Sequence, residues 1–365
     1  MGRMEPLTRF RAAAVQASPV WLDKAATVAK ACRLIAEAAA DGNRLIVFPE
    51  AWIPTFPYWP RALSQPDKGL SQDAYVALYR QAVDVPGPET EALGEAARKA
   101  NATVVMGVNE RDAGLGATLF NTLLYFGPDG QLIGRHRKLH PTWDERAIWG
   151  MGDGTDLAVY DTPVGRLGGL ICGNNSMTLA KYFLFASGEQ VHVAVWPNRH
   201  SISEMAELVT RGYALEGQVF VVSACGVIDE ADVPADFPLK ARTAWDIDGG
   251  SGIVGPNGRW LAGPVYGREA IVSAEIDLDR IIAAKANQDV VGHYGRPDLF
   301  RLQVRRGEPW VNMVTDASPG ALGGDGWAGV DGTPAHDGPT RGAEPTRSAA
   351  PSPGTAPAHD RGRGA

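Results

Sequence analysis

From the amino end, the chain alternates short apolar runs with segments whose apolar residues recur every three or four positions. Residues 9–17 predict a strand, and 22–40 a helix with Val28, Cys32, Ile35 and Ala39 along one stripe. Further strands are expected at 44–48 (RLIVF), 103–108 (TVVMGV), 122–126 (TLLYF), 131–138 (QLIGRHRK), 157–161 and 165–172 (GRLGGLIC), with a helix near 89–100. Beyond these come a helix near 177–188, a strand at 191–196 (VHVAVW), a helix near 203–217 and an apolar run at 218–227. Strands at 251–255 and 270–276 and a short helix at 278–285 complete the pattern.

Some runs are apolar throughout, which suits strands covered on both faces, and others are joined by turns such as Gly127-Pro128-Asp129-Gly130. The expectation is an α/β fold of mixed sheets packed between helices, not a pure βαβ barrel. No solenoid-period repeat and no linker-like stretch interrupts the chain before residue 316, so one domain is expected over 1–316. The last 49 residues differ: Gly and Pro supply 18 of them, and Leu322, Trp327 and Val330 are the only large apolar side chains. Such a segment cannot bury enough surface to offset its ordering entropy, and 317–365 are expected to form a disordered tail.

Composition narrows the function. The 365 residues carry 35 Lys+Arg against 42 Asp+Glu, net −7, which argues against a nucleic-acid partner. The longest apolar stretch, 219–228, is too short to span a bilayer, and MGRMEPLTRF has no apolar signal core, so a cytoplasmic protein without a membrane partner is expected. Three cysteines with no CxxC spacing argue against a disulfide scaffold or a cysteine zinc site.

Three residues at strand ends carry candidate chemistry. Glu50 directly follows the run Leu45-Ile46-Val47-Phe48-Pro49, at the carboxyl edge where open α/β sheets place their sites. Desolvation there would raise its pKa toward that of a general base, although a lone glutamate at a strand end ordinarily just starts a loop. Lys138 closes GRHRK, where alternation puts His136 and Lys138 on one face and Arg135 and Arg137 on the other. It is either part of a basic surface patch or a lysine aimed into a cleft to stabilise negative charge. Cys172 ends GLIC just before a helix, a setting near a lysine that lowers a thiol pKa, whereas Cys32 and Cys225 sit in apolar patterns typical of packing cysteines.

Several ordered segments together resemble the nitrilase superfamily of carbon–nitrogen hydrolases, in its nitrilase branch. They are FPEAWIPTFPYW (48–59), HRKLHPTWDERAIWGMGDG (136–154), GLICGNN (169–175) and DVVGHYGRPDLF (289–300), and the similarity runs from Phe10 to Trp310. The resemblance implies a four-layer α-β-β-α sandwich, commonly assembled as a homodimer or larger homo-oligomer. It implies Glu50 as base, Lys138 as electrostatic stabiliser, Cys172 as nucleophile and Glu145 as a second carboxylate orienting the substrate. The implied activity is hydrolysis of a small-molecule nitrile to the carboxylic acid and ammonia through a cysteine thioimidate, with no cofactor and no metal.

Trp52, Phe56, Tyr58 and Trp59 either line the pocket or pack beside it. Gly173, by its backbone N–H, is a further substrate-binding candidate, with Trp196, Trp143, Trp149 and His200 weaker ones that follow a site strand or its neighbour. His293 is expected to be structural. One departure stands out: many nitrilases carry Trp then Glu after the nucleophile, where this chain has Gly173 and Asn174, a change that enlarges the pocket and alters its charge. An amidase, or a cyanide- or carbamoyl-amine-acting relative, would use the same triad and is the rival enzyme reading. A non-catalytic assembly protein is the rival outside enzymes, against which stands the presence of all three triad residues.

Overall fold

The computed structural model describes residues 7–64, 67–112, 114 and 116–306, so the tail expected at 317–365 lies outside the described residues. The first half contains β1 (Arg9–Gln16), α1 (Lys24–Ala40), β2 (Asn43–Val47), α2 (Lys68–Arg80), β3 (Val83–Asp84), α3 (Pro88–Ala100), β4 (Thr103–Arg111), β5 (Leu119–Phe126) and β6 (Leu132–Arg137). The second contains β7 (Tyr160–Thr162), β8 (Gly165–Ile171), α4 (Thr178–Ala186), β9 (Val191–Trp196), α5 (Ser203–Gly217), β10 (Phe220–Cys225), β11 (Val227–Ile228), β12 (Ile247–Val254), β13 (Trp260–Tyr266), β14 (Ala270–Asp277) and α6 (Asp279–Lys285).

These strands form two seven-stranded mixed sheets, ordered β14-β1-β2-β4-β5-β6 with β3 beside β4, and β11-β12-β10-β9-β8-β7 with β13 beside β12. The strand period sorts the core. Ala12, Ala14, Leu45, Val47, Val105, Leu123 and Tyr125 face the second sheet, while their neighbours Ala13, Val15, Ile46, Val104, Met106, Leu124 and Phe126 pack under α1 and α3. Helices α4 and α5 cover the far face of the second sheet through Leu184, Phe185, Tyr213 and Ala214. The result is the expected four-layer α-β-β-α sandwich.

The differences from expectation have local causes. Helix α1 starts at Lys24, not 22, because Asp23 caps it by accepting from the Ala26 N–H, and its buried stripe centres on Ala31, Leu34, Ile35 and Ala38, with Cys32 and Ala39 only half-buried at its edge. The strand expected at 157–161 begins only at Tyr160. Helix α2 was not anticipated because it buries only Ala74 and Leu78, too few for a periodic signal. Strand β13 escaped notice because it lies at a sheet edge, is mostly half-exposed and carries Gly263 and Pro264 inside it.

Candidate active site

Three strand ends converge on one buried cluster. Glu50 is the third residue past β2, in a turn tied to β4 by Phe48 N–H to the Val105 carbonyl (2.8 Å) and Ile53 N–H to the Gly107 carbonyl (3.1 Å). Gly107 makes this approach possible, since a Cβ there would lie 2.0 Å from the Pro49 carbonyl oxygen. The next turn is held by Asn109, whose amide donates to the carbonyls of Ala51, Ile53 and Thr55 and accepts from the Trp149 indole (2.9 Å).

Lys138 follows β6 and extends its ladder, donating its backbone N–H to the Asn121 carbonyl at 2.8 Å. Its ammonium lies 2.8 Å from Glu50 Oε1 and 2.6 Å from Glu145 Oε2. Asn121 Nδ2 also donates to Glu50 Oε1 (2.7 Å), and the Thr142 N–H donates to Glu145 Oε2 (2.7 Å) from the single-turn 3-10 helix that carries Glu145. The second oxygen of Glu50, Oε2, is buried without a partner.

Cys172 sits where β8 meets a second short 3-10 helix, Cys172–Ser176, with φ of +50°. That left-handed backbone is costly for a residue with a Cβ and turns the side chain off the strand line. The sulfur and one carboxylate oxygen each of Glu50 and Glu145 all lie within 4.8 Å of one another. Three such atoms could ligate a cation, but here the Lys138 ammonium already bridges the two carboxylates. All four side chains are buried.

Burial pushes Glu50 up to about 7, against the counter-pull of Lys138 and with the Glu145 charge adding to the rise. For Lys138 burial acts downward, but the neighbouring carboxylates of Glu50 and Glu145 outweigh it and hold the ammonium firmly protonated. The thiol departs from the sequence expectation. Burial pushes Cys172 well above the usual thiol value, and the opposing effect of Lys138 is too small to offset it. The resting site therefore pairs a neutral thiol with a neighbouring carboxylate poised to take its proton.

The aromatic candidates divide. Trp52 packs against Phe48 beneath α1 and α3 and donates its indole N–H to the Ala17 carbonyl (2.6 Å), so it is core and not pocket wall. Trp59 lies in a cluster with Trp21 and Phe237, its indole N–H buried and unpartnered. Tyr58 is within electrostatic reach of Glu50, packs its ring at a tilt against Phe56 (4.8 Å between centroids) and donates to the Pro197 carbonyl (3.0 Å). Trp149 places its ring 5.8 Å from the Lys138 ammonium. Trp196 ends β9 next to β8, the strand that leads to Cys172, its indole N–H also unpartnered. A Cβ on Gly173 would touch only Thr142 Oγ1, at 3.4 Å, so the space beside Cys172 is open. Trp143 and His200 point to solvent, His200 paired with Asp248, and His293 is exposed with its ring 3.4 Å from the Asn287 carbonyl.

Sequence reasoning missed Asn109 and Asn121. The available signal was an amide interrupting an otherwise apolar buried strand, as in TVVMGVN and LFNTLLYF, since a buried amide must find partners. The basic patch weighed for GRHRK also resolves: Arg135 and Arg137 both bind the buried Glu110, at 2.7 and 2.6 Å, leaving Lys138 on the other face for the site.

Comparison with known proteins matches this arrangement. Residues 11–286 fit the carbon-nitrogen hydrolase family profile. The chain is 42% identical to Nitrilase 2 of Arabidopsis thaliana over 314 residues, covering 81% of this chain and 89% of that one. It is 41% identical to an aliphatic nitrilase of Rhodococcus rhodochrous over 312 residues, covering 82% and 83%. The fold is shared with the crystal structure of Saccharomyces cerevisiae Nit3, a nitrilase superfamily member, at a TM-score of 0.64 and 20% identity, covering 80% of this chain and 99% of that one. With sheets, strand-end cluster and family profile in agreement, the chain belongs to the carbon–nitrogen hydrolase family.

Proposed function

We propose that the protein is a nitrilase that converts an organic nitrile into the carboxylic acid and ammonia. The observation that carries this reading is the Lys138 ammonium bridging Glu50 and Glu145, with the Cys172 sulfur within 4.8 Å of both carboxylates. Support for nitriles as the substrate class comes from identity of about 40% to curated nitrilases across most of the chain.

In this mechanism Glu50 takes the Cys172 proton as sulfur attacks the nitrile carbon, and passes it to the nitrogen, giving a thioimidate and a free carboxylate. Lys138 and the Gly173 backbone N–H stabilise the charge that develops on nitrogen. Glu50 then draws a proton from water, which adds to the thioimidate carbon. The tetrahedral adduct collapses with protonation of its nitrogen, expelling ammonia and leaving a thioester. A second water, activated in the same way, releases the acid and restores the thiol. A carboxyl group with a pKa near 7 serves both directions of this proton traffic. Glu145 keeps Lys138 charged and oriented.

Ammonia release from matched nitriles and amides, with acid and amide products scored, tests the substrate class. Faster turnover of the amides would make the protein an amidase. Replacing Cys172 by Ala should abolish both turnover and the covalent adduct seen by mass spectrometry, and surviving activity would sink the nucleophile assignment.

The same reading includes self-association. Met205, Leu208 and Leu215 form an exposed stripe on α5, and Leu179 and Tyr182 another on the adjacent α4. Exposed apolar stripes of this kind suit burial against a second copy. Light scattering on Leu208→Asp should show a smaller particle than the unaltered protein. No helix among the described residues is long and apolar enough to cross a membrane, and three free thiols fit the reducing cytoplasm in which this reading places the protein.

A further inference from the structure

Behind the nucleophile, a line of four buried polar side chains runs across the second sheet to α5. Asn175 Nδ2 donates to the Cys172 carbonyl (2.9 Å) and the Leu170 carbonyl (3.2 Å), the groups on either side of the bend at which the chain leaves β8. Asn175 Oδ1 faces His192 Nε2 at 2.8 Å, and His192 Nδ1 faces Glu189 Oε1 at 2.7 Å. The other oxygen of Glu189 accepts from the Tyr213 hydroxyl at 2.7 Å, and the Tyr213 ring lies stacked on His192 at 3.6 Å between centroids. Asn175 and His192 have no exposure, and Glu189 and Tyr213 have 1% each.

The direction of these bonds is fixed by chemistry. Two carbonyl oxygens can only accept, so the Asn175 nitrogen must point at them and its oxygen at the imidazole. His192 Nε2 must then carry a hydrogen. On the far side of the ring, Nδ1 is held by Glu189 Oε1, so both ring nitrogens are engaged inside the core. None of the four side chains has a buried polar atom left unpartnered. The strand makes room for the line as well: at Gly168 a Cβ would lie 2.1 Å from Glu189 Oε1.

Such an investment of buried polar groups needs a task, and the line ends on the one residue of the site with a costly backbone. A left-handed cysteine persists only if its surroundings over-determine it. We propose that Asn175, His192, Glu189 and Tyr213 are a positioning relay that holds Cys172 in its left-handed conformation, and thereby its sulfur against Glu50 and Lys138. None of the four touches the substrate. They act through the Cys172 backbone, and what the relay requires is an unbroken sequence of hydrogen bonds, not the Glu189 charge. The proposal rests on Cys172 being the nucleophile.

Glu189→Gln and Glu189→Leu separate hydrogen-bond continuity from packing. A glutamine amide can donate to Nδ1 and accept from Tyr213, leaving the Nε2 hydrogen on Asn175, whereas leucine breaks the line. Two readouts serve: kcat and KM on a nitrile, and the alkylation rate of Cys172 by iodoacetamide on the intact protein, corrected with the Cys172→Ala variant. Asn175→Ala and Glu189→Leu should lower kcat and alkylation together by about 100-fold with KM little changed, the scale of a misplaced reacting group. Glu189→Gln should stay within about threefold of the unaltered protein.

Equal behaviour of Glu189→Leu and Glu189→Gln would overturn the relay, as would a folded Asn175→Ala with undiminished alkylation. If those variants do not fold, Tyr213→Phe decides, because it keeps the stacked ring and removes one hydroxyl. An alkylation rate about fivefold lower supports the relay and an unchanged one overturns it. Alkylation needs no nitrile, so an unaltered protein that ignores nitriles would refute the proposed substrate while the alkylation ratios still test the relay.

Discussion

The side-chain amide of Asn174 pairs with both backbone groups of His140, accepting from its N–H at 3.2 Å and donating to its carbonyl at 2.9 Å. This clamp joins the turn that carries Cys172 to the segment two residues beyond Lys138, so the thiol and the ammonium are braced against each other. It also gives a structural meaning to the departure at this position, where a neutral amide serves a donor and an acceptor at once. Replacing Asn174 by Asp keeps the acceptor and sets a second oxygen against the His140 carbonyl. The variant should lose about 1–3 kcal/mol of stability in urea unfolding. Its kcat should fall about tenfold as the spacing of Lys138 and Cys172 loosens. An unchanged unfolding midpoint would show that the clamp contributes nothing.

Part of this site is legible in the sequence because three of its residues fall at or just beyond strand ends, which periodicity locates. Position marks Glu50, Lys138 and Cys172 only as candidates, and the family resemblance is what selects them and adds Glu145, since a glutamate in the loop PTWDERA has no periodic marker. The protonation of the thiol was misread for a physical reason. Proximity to a lysine and a helix can be seen in a sequence, but the total burial that outweighs them cannot. Trp52 and Tyr58 show the same limit. They lie six residues apart in one aromatic segment, yet one packs under α1 and the other comes near Glu50, a division set by the turn that Asn109 holds.

Among the described residues Lys138 is the only cation bonded to the two site carboxylates, and its removal should be more damaging than the loss of either hydrogen bond alone. Lys138→Met would leave Glu50 and Glu145 buried together without a counter-charge, which drives proton uptake. Turnover should drop by at least about 100-fold, and the remaining activity should require a higher pH. Lys138→Arg should not restore it, because a planar fork cannot occupy the pocket of a compact ammonium in contact with both carboxylates. Wild-type kcat in either variant would remove Lys138 from the mechanism.

The raised pKa of Glu50 makes activity and stability respond to pH in opposite senses. As the base, Glu50 must be ionised in the free enzyme, so kcat/KM should rise with pH through a midpoint near 7, where its pKa lies. Its folded pKa lies above the usual 4.5, so the native state binds this proton more tightly than the unfolded chain. The stability gained is complete below the unfolded value and is lost as pH climbs through the folded one. Compared with Glu50→Gln, the unaltered protein should therefore lose unfolding free energy between about pH 5 and about pH 8. A kcat/KM profile flat across neutrality would contradict the assignment of Glu50.

Gly107 tests whether the position of Glu50 depends on the close approach of its turn to β4. At this glycine the demand is space, because an added Cβ would fall 2.0 Å from the Pro49 carbonyl oxygen and 2.8 Å from the Ala51 nitrogen. Both neighbours are backbone atoms and cannot rotate away, so Gly107→Ala must push the turn off the strand. The displaced segment carries Glu50 with it and breaks the bond from Ile53 N–H to the Gly107 carbonyl. Overpacking of this kind costs about 1–3 kcal/mol, which thermal unfolding would register without loss of the fold. Activity should suffer more than stability, by about 100-fold, since the free oxygen of Glu50 must stay within reach of the Cys172 sulfur. Near-normal turnover in Gly107→Ala would mean that β4 does not set the position of the base.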